Sequence, residues 1–151
     1  MKKTVLENIS HMCFSEEMTW QQLLTKMSED AIKNGWAKEG FTDAVITREE
    51  QYATGLHASI DIAIPHAGAE WTIEPAMITA ALDVPVAFDP MGGMGGMVKA
   101  EFVFMLVIPD ANAHVDFLQA MAGFIGDDAK MGELSVTRDI SGLIDYLKEN
   151  L

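Results

Sequence analysis

The sequence holds a single cysteine, Cys13, so no internal disulfide can form and the chain suits a reducing compartment. Long hydrophobic runs are missing too. The longest, Phe102 to Ile108, falls far short of the roughly 20 residues that a membrane-spanning helix needs, and it reads as a buried strand. Met1-Lys2-Lys3 is followed by no sustained apolar stretch, so no secretory signal is read and a cytoplasmic location is expected. Positive charge is scarce: 10 Lys and Arg stand against 23 Asp and Glu, a formal net charge of -13. Such a surface repels nucleic acid, whose binding needs cations to neutralise phosphates. It disfavours an anionic membrane for the same reason, so neither nucleic acid nor membrane insertion is expected. A basic protein partner would instead be steered in by the field.

What is present fits a globular chain. The 151 residues are 49% hydrophobic and 22% charged, enough for one domain over residues 1–151 with its own core. No internal repeat or linker divides them. Trp20, Leu23, Leu24, Met27 and Ala31 recur at helical spacing, which predicts a helix over 20–34. Thr19 and Gln22 make a capping box for it and Gly35 a stop. A shorter helix is expected over 43–51, capped by Thr42.

The period then changes. Ile60, Ile62 and Ile64 alternate with Asp61 and Ala63, giving a strand that ends at Pro65. Two further strands are expected over 77–82 and 84–88. Phe102 to Ile108, apolar on both sides, reads as a central strand covered on two faces. Asn112 can cap a helix bearing Val115, Leu118, Met121, Ala122 and Ile125. Asp139 can cap a last one bearing Ile140, Leu143, Ile144 and Leu147. The stretch 89–99, with four glycines and three methionines, reads as a flexible loop. The class is therefore α/β: a single domain with a mixed sheet flanked by helices on both faces.

The segment richest in chemistry joins Arg48-Glu-Glu-Gln-Tyr-Ala-Thr-Gly-Leu to Ile62-Ala-Ile-Pro-His66-Ala. It delivers a histidine at a strand end, where ligand sites of α/β sheets collect. A neutral imidazole, with an ordinary pKa of about 6.5, offers a lone pair and can act as a nucleophile. On residue chemistry alone a structural or merely exposed histidine carries more weight than a nucleophile.

The string Thr47-Arg48-Glu49-Glu50-Gln51-Tyr52-Ala53-Thr54-Gly55-Leu56, closed by Ile62-Ala63-Ile64-Pro65-His66-Ala67, resembles the signature of the fructose/mannitol-type enzyme IIA superfamily of the sugar phosphotransferase system. Phe88-Asp-Pro-Met-Gly-Gly and Glu101-Phe-Val-Phe-Met-Leu look most like its galactitol-type branch. The resemblance implies a mannitol/fructose enzyme IIA-like fold. It also implies a protein-histidine phosphotransferase that accepts phosphate from phospho-HPr on His66 and passes it to a cysteine of enzyme IIB, serving uptake of galactitol or a related sugar or polyol. It makes Arg48 the stabiliser of the phosphoryl oxygens and His114 a second histidine bonding to His66 or to the phosphate, and calls for no cofactor or metal. Galactitol-type relatives often lack that second histidine. The resemblance also admits a regulatory, nitrogen-type module that signals by its phosphorylation state.

Other candidates are read from residue chemistry. Thr54 and Gly55 are taken as turn residues, with the Thr54 hydroxyl as a lesser phosphate donor. His57 is expected to be exposed and Cys13 a small buried hydrophobe. A zinc site from His57, Asp61, His66 and His114 matches no known ligand spacing. The glycines at 92, 93, 95 and 96 lack the Lys-Ser or Lys-Thr ending of a nucleotide-binding loop. Met91, Met94 and Met97 could form an adaptable docking surface or a loop without contacts.

Overall fold

Apolar residues on both sides of two long strands dictate a sheet covered from two directions. The computed structural model describes residues 2–109, 115–136, 145 and 147–149. In chain order it contains α1 (Lys2–Glu7), β1 (Ile9–Phe14), α2 (Trp20–Lys33), α3 (Phe41–Gln51), β2 (Gly55–Leu56) and β3 (Ile62–Ala63). After these come β4 (Ala76–Phe88), β5 (Val98–Val107), α4 (Val115–Ile125) and α5 (Asp128–Val136). The strands form one sheet in the order β1-β4-β5-β3-β2. β1 runs parallel to β4 and β3 parallel to β5, whereas the β4–β5 and β2–β3 pairs are antiparallel. The sheet is mixed, as expected.

β5 shows why helices lie on both faces. Phe102, Phe104 and Leu106 pack with Phe117, Met121 and Phe124 of α4, Met131 and Leu134 of α5, and Leu147. Val103, Met105 and Val107 point the other way, into the cluster of Leu23, Leu24, Met27 and Ala31 of α2 and Phe41 and Val45 of α3. Each such large side chain stabilises by about 1.5–3 kcal/mol on leaving water. Of the expected last helix, Asp145 and residues 147–149 are helical with Leu147 buried. Its other core positions, with Asp139 and Asn112, lie outside the described residues.

Several boundaries depart from the sequence reading. Helix α2 has its Thr19–Gln22 capping box and Gly35, at φ +79, just past its end. Helix α3 begins at Phe41 with Gly40 as its cap at φ +95, so Thr42 is not the cap. Its hydroxyl instead accepts a hydrogen bond from Ser28 at 2.7 Å, tying α3 to α2. The two strands expected over 77–88 are one, β4, interrupted where its register on β5 shifts between Ala81 and Val86. Pro85 sits inside that interruption, where its missing N–H costs no ladder bond, and Val84 there is exposed.

The stretch 89–99 is shorter as a loop than expected, since one 3-10 turn spans Met91–Gly93 and β5 already starts at Val98. Helix α1, strand β1 and helix α5 were not anticipated. β1 is an edge strand with one neighbour, and its one buried residue is His11, whose Nδ1 bonds to the Thr79 hydroxyl. A buried histidine disguises the alternation. Helix α5 buries only Met131 and Leu134, too thin a stripe to stand out.

Candidate functional site

The short strand β3 pairs with β5 through Ile62↔Phe102 and Ala63↔Val103. Beyond it Pro65 has no N–H to give, so only its carbonyl continues the pairing, accepting the Leu106 N–H at 3.0 Å. His66 then bridges to Leu106 and the chain leaves the sheet. The ring is partly exposed, neither sealed in the core nor fully in solvent. Its Nδ1 lies 3.1 Å from the carbonyl oxygen of Ile64. A carbonyl can only accept, so Nδ1 carries the hydrogen and the lone pair of the neutral ring is on Nε2. Beside the ring is a cavity of about 300 Å³ lined by Ile64, His66, Ala67, Ala69, Leu106, Ile108 and Leu118. Among the described residues of that lining His66 is the one titratable group. The arrangement presents an oriented nitrogen lone pair at the rim of an apolar recess.

The turn that leads into β2 and β3 is held from beneath by a carboxylate. Phe41, Val45 and Glu49, four residues apart, form the buried face of α3. Glu49, only 4% exposed, accepts the Thr54 N–H on Oε2 and the Thr54 hydroxyl on Oε1, each at 2.8 Å. Burial raises its carboxyl above the usual carboxylate range. The two Thr54 bonds oppose that rise, and nearby Asp89 adds to it. Gly55 does not use a positive φ, contrary to its expected turn role. Glycine is needed because a Cβ there would lie 2.5 Å from the Asp89 carbonyl oxygen, whose bond with the Gly55 N–H spans 3.2 Å.

The remaining candidates fall at different places. Arg48 is exposed and does not line the His66 cavity; it lines a neighbouring groove with Asp43, Gly68, Glu70 and Trp71. That groove borders the segment just after His66. His114 lies outside the described residues. Thr54 is 3% exposed with its hydroxyl engaged by Glu49, which removes it as a phosphate donor. His57 is exposed as expected, with Nδ1 3.2 Å from Asp61 Oδ1 and Nε2 2.9 Å from the Gly96 carbonyl oxygen. Cys13 is exposed, against expectation, because it sits on the edge strand; its Sγ is 3.5 Å from His11 Nε2. Among the described residues no group of three His, Cys, Asp or Glu side chains could hold a metal ion.

Sequence reasoning passed over Glu49. The signal was available: the same four-residue spacing that buries Phe41 and Val45 carries a charged group inward, and a buried charge needs partners.

The family described as phosphoenolpyruvate-dependent sugar phosphotransferase system, EIIA 2, matches residues 6–150. Among solved structures the chain is similar to IIA mannitol from Escherichia coli, with a TM-score of 0.70, 20% identity, and 93% of this chain and 96% of that one covered. It is similar to the complex of enzyme IIA and phosphorylated enzyme IIB for mannitol from the same organism, at 0.71 and 19%, covering 95% of each chain. It is equally similar to nitrogen regulatory protein IIA-Ntr from Neisseria meningitidis, at 0.73 and 18%, covering 95% and 98%. At these identities the likeness concerns the fold. No curated protein gives a significant match. Among the described residues no helix is long and apolar enough to cross a membrane.

Proposed function

This chain belongs to the phosphoenolpyruvate-dependent sugar phosphotransferase system EIIA 2 family, and on that premise we propose that it carries a phosphoryl group on His66. The observation that carries this reading is the Nδ1–Ile64 hydrogen bond, which leaves the lone pair on Nε2 beside an apolar recess. The donor is phospho-HPr. His66 Nε2 attacks phosphorus in line as the bond to the HPr imidazole breaks, and the proton stays on Nδ1 throughout, donated in a hydrogen bond to the Ile64 carbonyl. The transition state is loose, so the protein mainly positions the group and neutralises its oxygens. Arg48 reaches in from the adjoining groove for that purpose, as a guanidinium can grip two oxygens. His114 supplies a further hydrogen bond. The phosphoryl group then moves to a cysteine of enzyme IIB; the mannitol complex of IIA with phosphorylated IIB supports such a partner.

The transported compound is galactitol or a related polyol, on the strength of Phe88-Asp-Pro-Met-Gly-Gly and Glu101-Phe-Val-Phe-Met-Leu. The likeness to nitrogen regulatory protein IIA-Ntr favours a second reading, a cytoplasmic regulatory module that signals by phosphorylation state.

Incubation with phosphoenolpyruvate, enzyme I and HPr, followed by mass mapping, should place one acid-labile phosphate on His66. His66→Ala should abolish the label and keep the fold, since the ring is not part of the core. Label on another residue would overturn the assignment. Onward transfer to enzyme IIB proteins, including a galactitol-type one, separates transport from regulation.

A further inference from the structure

Glu49 is a buried acid that the phosphoryl-transfer reading above does not use. Its two oxygens grip both donors of Thr54, the N–H and the hydroxyl. The Thr54 carbonyl in turn accepts the Ile64 N–H at 3.4 Å. The Ile64 carbonyl is the group that accepts from His66 Nδ1. An unbroken line of hydrogen bonds thus runs from Glu49 through Thr54 and Ile64 to the imidazole. It is supported laterally by the β2–β3 pairs Gly55↔Ala63 and Leu56↔Ile62.

We propose that Glu49 is a positioning residue for His66: by clamping Thr54 it holds the Ile64 carbonyl where it selects the Nδ1–H tautomer and leaves Nε2 as the nucleophile. The geometry has a physical reason. The turn 52–54 connects a helix to a two-residue strand, and a two-residue pairing is too short to set its own position. A neutral acceptor could satisfy one Thr54 donor. A carboxylate satisfies both, at fixed spacing, from a rigid helix. A tilt of the Ile64 carbonyl would let the ring flip its tautomer and place a hydrogen on the attacking nitrogen.

The test uses the whole chain and two readouts. The first is the tautomer of His66, read from two-bond proton–nitrogen correlations of the neutral ring. The second is the kcat and KM for phosphoryl uptake from phospho-HPr. Wild type should show the Nδ1–H form. Glu49→Ala should show a mixture and lose at least about tenfold in kcat, with KM within about threefold, as expected for a misaimed nucleophile on an intact surface. Glu49→Gln can accept from the Thr54 N–H and donate to the Thr54 oxygen, so it should stay within about twofold of wild type.

A folded Glu49→Ala protein with native tautomer and kcat overturns the proposal, and so does a Glu49→Gln protein as impaired as the alanine variant. If Glu49→Ala does not fold, Thr54→Val against Thr54→Ser decides. Valine should mix the tautomers and serine restore them; equal, native behaviour of both overturns the claim. The proposal rests on the carrier reading for its rate arm only. A wild-type chain that takes no phosphate defeats that reading, while the tautomer arm still judges Glu49.

Discussion

The Arg48 guanidinium lies over the face of the Tyr52 ring, 4.6 Å from its centroid, one helical turn away on the same side of the end of α3. The stack parks the cation at the rim of the groove leading to Gly68, Glu70 and Trp71. In the proposed transfer the arginine must leave the ring to meet phosphoryl oxygens. Arg48→Ala should then slow uptake by about 10- to 100-fold, or about 1.4–2.7 kcal/mol of transition-state stabilisation. An exposed cation–π contact contributes about 0.5–1 kcal/mol, so Tyr52→Leu should raise the rate by about two- to fivefold. Stopped-flow uptake from phospho-HPr measures both; an Arg48→Ala protein at wild-type speed would remove Arg48 from the site.

His57 should give the protein a pH-dependent fastening. Both ring nitrogens face acceptors, the Asp61 carboxylate and the Gly96 carbonyl, and only the doubly protonated ring can donate to both. The Gly96 carbonyl first and Asp61 second raise its pKa above 6.5. Because the folded value exceeds the unfolded one, the stabilisation is fully present below about 6.5 and is lost as pH rises through the folded value. Hydrogen exchange at Gly95 to Val98 should speed up over that window, and His57→Gln should flatten the change. Exchange independent of pH after correction for intrinsic rates would show that the loop is held by other contacts.

Gly55 tolerates no side chain. A Cβ would stand 2.5 Å from the Asp89 carbonyl oxygen and 2.9 Å from Val98 Cγ2. Gly55→Ala should destabilise by about 1–3 kcal/mol in urea unfolding, as overpacking against backbone does. Gly68→Ala meets only the end of the Glu70 side chain, at 2.4 Å, which can swing aside. Its cost should stay below about 1 kcal/mol. Equal costs at the two positions would contradict this account.

The acidic excess, 23 carboxylates against 10 cations, predicts how a basic carrier protein approaches. Raising the salt from about 0.01 M to about 1 M shortens the screening length from about 30 Å to about 3 Å, so the association rate should fall steeply. The dissociation rate should change less, since rim charges act mainly on encounter. Surface plasmon resonance against HPr across that series measures both, and a flat association rate would rule out steering.

Much of this molecule is legible along the chain itself. The double-sided apolar run at 102–108 required cover on two faces, and the structure supplies α2 and α3 on one side and α4 and α5 on the other. Burial of apolar surface is a local, residue-by-residue demand, which is why such patterns survive in one dimension. The capping box at Thr19 and the chain exit at Pro65–His66 are local for the same reason, being hydrogen bonds made or forbidden within a few residues. What no linear pattern contained was the strand order, the edge strand disguised by His11, the partner that the inward-facing Glu49 meets, and the close approach at Gly55. Those depend on groups far apart or turned inward meeting at contact distance: Asp89 against Gly55, Thr79 against His11, a helix carboxylate under a turn. Short-range forces decide such matches, and only the folded chain brings the partners within their range.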